Sequence, residues 1–319
     1  MARHAALCRR SSCLVRVVRR MNPGERMSCQ ASLHGNASEP TRVAVAQMTS
    51  TSSKQDNLKT VANLVEQAAA ERCHMLFLPE CFAYIGENPA DAVDQAEAIT
   101  GTLMQKYQDV AKKWKVWLNL GGFHEVGNVP RKVFNTQLML DEDGNIVSTY
   151  RKVHLFDVNV PNGPVLMESK TTISGEELVT CDTPAGKTGL TTCYDVRFPH
   201  MYQILRYKHN IEILTVPSAF TKVTGAAHWE VLLRARAIEI QCYVVASAQA
   251  GKHNAKRESY GHSMIINPWG EIVAKLDDPT ATGIATATID LESLSSLRER
   301  MPIHLHRKTG LYKTWEKPS

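Results

Sequence analysis

A chain of 319 residues, 43% hydrophobic and 22% charged, has the composition of a globular protein able to bury a sizeable core, and it holds no uncharged apolar run long enough for a membrane-spanning helix. The net charge of +5 is concentrated at the start, where residues 1–26 carry seven arginines (Arg3, Arg9, Arg10, Arg16, Arg19, Arg20, Arg26) against the single acid Glu25. The rest is near neutral, which excludes an extended nucleic-acid surface and leaves a small molecule as the expected partner.

The Arg-, Ser- and Ala-rich opening lacks an apolar signal core and reads as a mitochondrial targeting segment; a disordered basic tail is the alternative. Met21 and Met27 could each begin a shorter cytosolic product, so both compartments are expected. Polar residues 28–40 read as linker, giving a basic segment with linker over 1–40, one domain over 41–300, and a tail over 301–319 that could contribute to a dimer contact.

Within the domain, residues 42–48 alternate as a strand and 53–72 carry helical periodicity through Leu58, Val61, Leu64 and Ala68. A short apolar strand over 74–78 ends in Pro79-Glu80. A helix is expected over 98–114 and a strand over 116–122. Strands over 135–140 and 146–151 flank the turn at Asp141–Gly144. Residues 153–177 read as an irregular wall of functional interest. Strands over 178–181 and 189–192 lead to Cys193 and a helix over 197–207. Strand 211–216, helix 228–241, strand 243–248, the pair 260–266 and 271–275, strand 282–290 and helix 291–300 complete the order. Crossovers mixed with hairpins imply an α/β domain, a mixed sheet doubled on itself with helices outside.

The eight cysteines show no CxxC pair or framework spacing, as expected of reduced thiols. Cys73, Cys81, Cys181 and Cys242 lie in or beside apolar segments and read as packing. No HExxH or Cys/His cluster offers metal-ligand spacing; His304 and His306 are a weak pair, and neither metal nor cofactor is expected. The sequon at Asn36 carries meaning only in a secreted chain.

Three polar residues each end an apolar strand: Glu80, Lys152 and Cys193. Strand ends converge in folds with parallel strands, so the three can meet. Cys193 at a strand-to-helix turn is placed to attack a carbonyl or nitrile carbon. Glu80 would take its proton and return it to the leaving nitrogen, while Lys152 would hold the thiolate and, with the Tyr194 N–H, the developing oxyanion. No GxSxG elbow is present, which excludes a serine α/β-hydrolase, and a papain-like Cys–His pair would leave Glu80 and Lys152 without a role.

FLPE (77–80), YRKVHLFD (150–157) and CYDVRFP (193–199), in that order, resemble the nitrilase superfamily of carbon–nitrogen hydrolases. The resemblance continues through PSAF (217–220), residues 228–251 and residues 261–273, and covers roughly 43–300. It implies a four-layer αββα sandwich, a Glu–Lys–Cys triad working through a thioester, no cofactor, and subunits paired as a homodimer or larger homo-oligomer. It further implies a second glutamate after the lysine. Glu168 is the matching position, whereas Glu176 and Glu177 follow Gly175 and lead straight into a strand. Within the superfamily the chain is most similar to the nitrilase-like amidases. That implies cleavage of the amide in the 2-oxo form of glutathione, to 2-oxoglutarate and cysteinylglycine. Small 2-oxo acid amides, or a binding and signalling role on the same scaffold, are the alternatives.

Such a substrate needs anion partners. Arg197, Lys222, Lys252 and Arg257 follow strands and are available, with solvated surface charge as the alternative. Tyr194, Phe220 and Trp229, with Phe82 and Phe156, could line the pocket, or could be core. On the 228–241 helix Arg236 falls on an apolar face, which implies a buried pair with an acid, either inside the subunit or across a dimer seam; with Glu239 it reads as structural.

Overall fold

A computed structural model describes residues 40–159 and 165–312. The expected targeting segment and linker, with Met21, Met27 and Asn36, lie outside these residues, as does the end of the tail from residue 313. From the N-terminus, β1 (Thr41–Met48) leads to α1 (Lys54–Ala70), β2 (Met75–Phe77), α2 (Pro89–Asp94), α3 (Thr102–Trp114), β3 (Trp117–Val126), β4 (Val133–Leu140) and β5 (Ile146–Arg151). Next come a small hairpin of β6 (Asp157–Asn159) and β7 (Val165–Met167), a 3₁₀ turn at Glu168–Lys170, and β8 (Thr172–Ile173). The second half runs β9 (Val179–Thr183), β10 (Gly186–Leu190), a 3₁₀ turn at Cys193–Arg197, α4 (Pro199–His209), β11 (Ile213–Thr215) and α5 (Lys222–Ile240). It ends with β12 (Tyr243–Ala246), β13 (Ala248–Lys252), β14 (Glu258–Tyr260), β15 (Met264–Ile266), β16 (Ile272–Lys275), β17 (Gly283–Ile289), α6 (Leu291–Arg300), α7 (Ile303–His306) and α8 (Thr309–Tyr312).

The strands form two mixed sheets. One runs β14-β13-β1-β2-β3-β4-β5, with β17 antiparallel to β1 and β8 beside β4; the other runs β16-β15-β12-β11-β10-β9. The period of two in the strands decides the layering. In β1, Val43 and Val45 face the second sheet, whereas Ala44, Ala46 and Met48 face α1 and α3; β2 divides in the same way into Met75 and Phe77 against Leu76 and Leu78. Helices α4 and α5 cover the second sheet through Leu205, Trp229, Leu233 and Ala237. The result is a four-layer αββα sandwich of mixed sheets with the helices outside. Among the described residues no helix is long and apolar enough to cross a membrane.

Several elements differ from the sequence expectation. Residues 243–248 are two strands in different sheets, with Ser247 between them donating its hydroxyl to Leu78 O at 2.8 Å. Ala248 N–H finds Ser263 Oγ at 2.8 Å, so a side chain replaces a ladder acceptor and the chain leaves one sheet for the other. The expected strand 260–266 divides likewise into β14 and β15. Helix α5 starts at Lys222, six residues before expectation, because Thr221 caps it. The Gly225 inside that helix is a packing requirement: a Cβ there would lie 2.3 Å from the Tyr260 ring. Residues 153–177 contain a hairpin, a 3₁₀ turn and a short strand rather than a structureless wall. The segment after Cys193 is 3₁₀ before α4 begins at Pro199.

Candidate active site

Glu80 stands beyond the end of β2, where Leu78 N–H still pairs with Asn119 O and Cys81 N–H with Gly122 O. Gly122 makes that approach feasible: a Cβ would lie 3.1 Å from Glu80 Cγ and 2.5 Å from Asn135 Oδ1. Lys152 follows β5 and is held at both ends of its backbone, N–H to Asn135 O (2.9 Å) and C=O from Gly175 N–H (2.8 Å). Cys193 sits beyond β10 with φ +51°, a left-handed backbone costly for a side-chain-bearing residue, and its N–H donates to Pro217 O at 2.9 Å.

The strand ends bring these side chains together. Lys152 Nζ lies 3.0 Å from Glu80 Oε1, and 3.1 and 2.9 Å from the two oxygens of Glu168. Glu168, in the 3₁₀ turn after β7, also accepts from Phe156 N–H at 2.7 Å. The far oxygen of Glu80, Oε2, accepts from Ala219 N–H at 2.9 Å, and the Glu80 carboxylate meets the Cys193 thiol. Glu80, Lys152 and Cys193 are all buried.

The electrostatics assign resting charges. Burial alone would push the Glu80 carboxyl up, but the Lys152 charge and the hydrogen bonds from Lys152, Cys193 and Asn135 hold it below its ordinary value. Burial works against the Lys152 ammonium, yet the carboxylates of Glu168 and Glu80 keep it protonated to well above the usual lysine range. Burial, then the negative charge of Glu80, push the Cys193 thiol well above its ordinary value. The site therefore rests as thiol, carboxylate and ammonium. A nucleophile in that state acts by losing its proton to the carboxylate as it attacks, not as a standing thiolate.

Two further residues hold the site and were not singled out in the sequence. Asn135, on β4, donates Nδ2 to Glu80 Oε1 at 2.8 Å and, at 3.4 Å, to Glu168 Oε1, so it spaces the two glutamates. Asp195 is fully buried and joins the cysteine turn to the lysine strand. One of its oxygens accepts from Thr192 N–H (2.8 Å) and Tyr150 Oη (2.7 Å), the other from His154 N–H (3.0 Å) with His154 Nδ1 at 2.8 Å. The Thr192-x-x-Asp195 pattern, a capping box across the cysteine turn, was its signal in the sequence.

The substrate-contact candidates divide. Tyr194 packs on Phe156 and Phe198, and Arg197 lies 5.8 Å from the Tyr194 ring and 5.7 Å from the Phe220 ring, with Nη2 3.1 Å from His228 Nδ1. Tyr194, Arg197 and Phe220 thus form one wall beside Cys193. Trp229 is not part of it: it lies in the core behind Phe220, its indole N–H donating to His262 O at 2.8 Å. Phe82 is likewise core, packed on Tyr107 and Phe123. Lys222 pairs with Glu258 at the surface, while Lys252 and Arg257 are exposed. Arg236 binds Val196 O and Glu239 within the subunit. Among the described residues no group of three His, Cys, Asp or Glu side chains is arranged to hold a metal ion.

A family model described as carbon-nitrogen hydrolase matches residues 42–299. A human protein named deaminated glutathione amidase is 48% identical over 274 residues, covering 85% of this chain and 83% of that one. The crystal structure of the Caenorhabditis elegans NitFhit protein superposes with a TM-score of 0.80 at 45% identity, covering 86% of this chain and 67% of that one. Saccharomyces cerevisiae Nit3, a member of branch 10 of the nitrilase superfamily, superposes with a TM-score of 0.73 at 32% identity, covering 82% and 94%.

Proposed function

Because the chain belongs to the carbon–nitrogen hydrolase family and is an amidase acting on carbon–nitrogen bonds, we propose that its substrate is deaminated glutathione, cleaved to 2-oxoglutarate and cysteinylglycine. The observation that carries the chemistry is the contact of Glu80 with both Lys152 and the Cys193 thiol, beside the Ala219 N–H. The substrate reading is supported by the similarity to amidases of that name.

In the proposed reaction Cys193 Sγ attacks the amide carbon while its proton passes to Glu80. The C–S bond forms and the carbonyl π pair moves onto oxygen, where Lys152 and the Tyr194 N–H stabilise it. Tyr194 N–H belongs to the first turn of a 3₁₀ segment and has no acceptor within it. Collapse of the tetrahedral intermediate breaks the C–N bond as Glu80 returns the proton to the leaving nitrogen. A water, deprotonated by Glu80, then attacks the thioester, releasing the acid and restoring the thiol. Glu168 holds Lys152 at the angle this requires, and Arg197 receives the carboxylate of the acyl part.

The test compares turnover of deaminated glutathione and 2-oxoglutaramate by the purified chain, with Cys193→Ala alongside. Preference for the larger substrate is expected, with Cys193→Ala inactive and folded. Preference for the smaller would make this an ω-amidase, and turnover surviving Cys193→Ala would overturn the thiol mechanism.

A homodimer is proposed as the working unit. Its support is the apolar outer face of α5 and the adjoining β15–β16 turn, where Val231, Ile238 and Trp269 are exposed at 70%, 45% and 61%. Sedimentation showing a monomer at micromolar concentration would refute it. Residues 1–40 are proposed to direct part of the protein to mitochondria, with a cytoplasmic remainder; a fused reporter that stays wholly cytosolic would refute that.

A further inference from the structure

The exposed loop between β13 and β14 carries a cation whose placement is more constrained than its exposure suggests. His253 is buried, with Nδ1 2.9 Å from Ser50 O and Nε2 2.7 Å from Ser259 Oγ. Asn254 donates to Gly86 O at 2.9 Å and accepts the N–H groups of Lys256 and Arg257, each at 2.8 Å. The same ground is bound from below: Ser50 Oγ donates to Phe82 O, and Gln249 Nε2 to Glu80 O. The loop is thus fastened to the segment running on from Glu80. Arg257 stands at its end with no hydrogen-bond or ion-pair partner for its guanidinium among the described residues.

Its charge bears on Cys81 and His124, the two groups that flank Glu80 and lie 3.8 Å from each other. Burial pushes Cys81 up to about 12 and His124 down to about 4, so both are neutral at pH 7 and neither competes for the arginine. Arg197 stands on the other side, against Tyr194 and Phe220 beside the nucleophile.

The chemistry orients a substrate across this pair. The acyl part stays on Cys193, so its carboxylate lies on the Arg197 side. The leaving nitrogen must reach Glu80 to be protonated, so the leaving amine extends past Glu80 toward Cys81 and His124. We propose that Arg257 anchors a carboxylate at the leaving-amine end of the substrate, the end that ammonia-releasing amides lack. The inference rests on the substrate reading above and would make Arg257 the residue that separates a peptide-like leaving group from ammonia.

Two measurements on the full chain test it, with Arg257→Gln and Arg257→Lys beside Lys256→Gln as a neighbouring-charge control. The first is the ratio of kcat/KM for deaminated glutathione to that for its C-terminal glycinamide analogue. A charged hydrogen-bonded pair is worth roughly tenfold to a hundredfold, so Arg257→Gln should lower this ratio by at least tenfold through KM. Arg257→Lys should restore part of it, and Lys256→Gln should leave it intact. The second needs no turnover: the rate of Cys193 alkylation by iodoacetate relative to iodoacetamide, followed on its own peptide by mass spectrometry. Arg257→Gln should lower that ratio severalfold. Unchanged alkylation would show that Arg257 does not face the thiol and would overturn the proposal. A lowered alkylation ratio with an unchanged substrate ratio would overturn the leaving-group assignment. If the wild type hydrolyses no deaminated glutathione, the substrate reading fails and the alkylation ratio alone decides whether Arg257 serves the site.

Discussion

Replacing Asp195 with Asn tests whether the cysteine turn and the lysine strand act as one unit. The carboxylate accepts on both oxygens, from Thr192 N–H and Tyr150 Oη on one and from His154 N–H and its ring on the other. An amide offers one acceptor and one donor. If its NH₂ faces Tyr150, the phenol can turn to accept, but Thr192 N–H is orphaned. If it faces His154, the ring can change tautomer, but His154 N–H is orphaned. Either way one backbone donor is left unsatisfied, at about 1–3 kcal/mol, and the remaining bonds lose charge assistance worth about another 1–2 kcal/mol. The expected loss is roughly 2–5 kcal/mol, or a fall in Tm of roughly 10 °C. Thr192 immediately precedes Cys193, so the displacement passes to Sγ, and kcat should fall on the order of tenfold to a hundredfold with KM little changed. Thermal denaturation and steady-state kinetics on one preparation read both. A lowered Tm with kcat within threefold of wild type would show that Asp195 only staples the fold, and an unchanged Tm would refute the hydrogen-bond reasoning itself.

Lys152→Met should abolish turnover and destabilise the protein by about 3–5 kcal/mol, because the buried Glu80 carboxylate and the half-buried one of Glu168 then face each other without their cation. Adding Glu80→Gln and Glu168→Gln should recover stability but not activity, and chemical denaturation that found the triple variant no more stable than the single one would contradict this. Burial lowers His253 from 6.5 to about 4. The folded state thus favours the neutral ring, so this contribution is complete above pH 6.5 and is lost as pH falls from 6.5 through 4. A displacement of that size is worth about 3 kcal/mol. His253→Gln should reduce the slope of stability against pH across that window, leaving the part that His124, also lowered to about 4, contributes, and an unaltered slope would show that the ring is not held neutral.

Glu80, Lys152 and Cys193 were legible because each ends an apolar strand, and a strand end fixes a side chain's neighbourhood from local pattern alone. Glu168 came only through the family resemblance, since nothing in VLMESK marks it as facing a lysine sixteen residues earlier. Asn135 and Asp195 were missed for a different reason: their partners lie on other elements, and a polar residue in a strand or after a cysteine has many dull explanations. The division of 243–248 between two sheets was equally hidden. The β-forming composition continues through it, and the break depends on Ser263 supplying a hydroxyl from a distant part of the chain. Trp229 looked like a pocket residue because aromatic side chains suit both pocket and core, and only the His262 carbonyl behind it decides which.

The lysine held between two carboxylates, with an un-ionised thiol alongside, fixes how charge is distributed through a catalytic cycle. At rest the four groups sum to minus one. In the proposed reaction, when the thiol proton moves to Glu80 and the carbonyl oxygen becomes anionic, the sum is still minus one, and it is unchanged again in the thioester. Charge migrates between buried atoms but none enters or leaves, so the surrounding solvent has little to rearrange during bond making and breaking. Ionic strength should therefore weigh on capture of an anionic substrate and leave the chemical steps largely indifferent to salt.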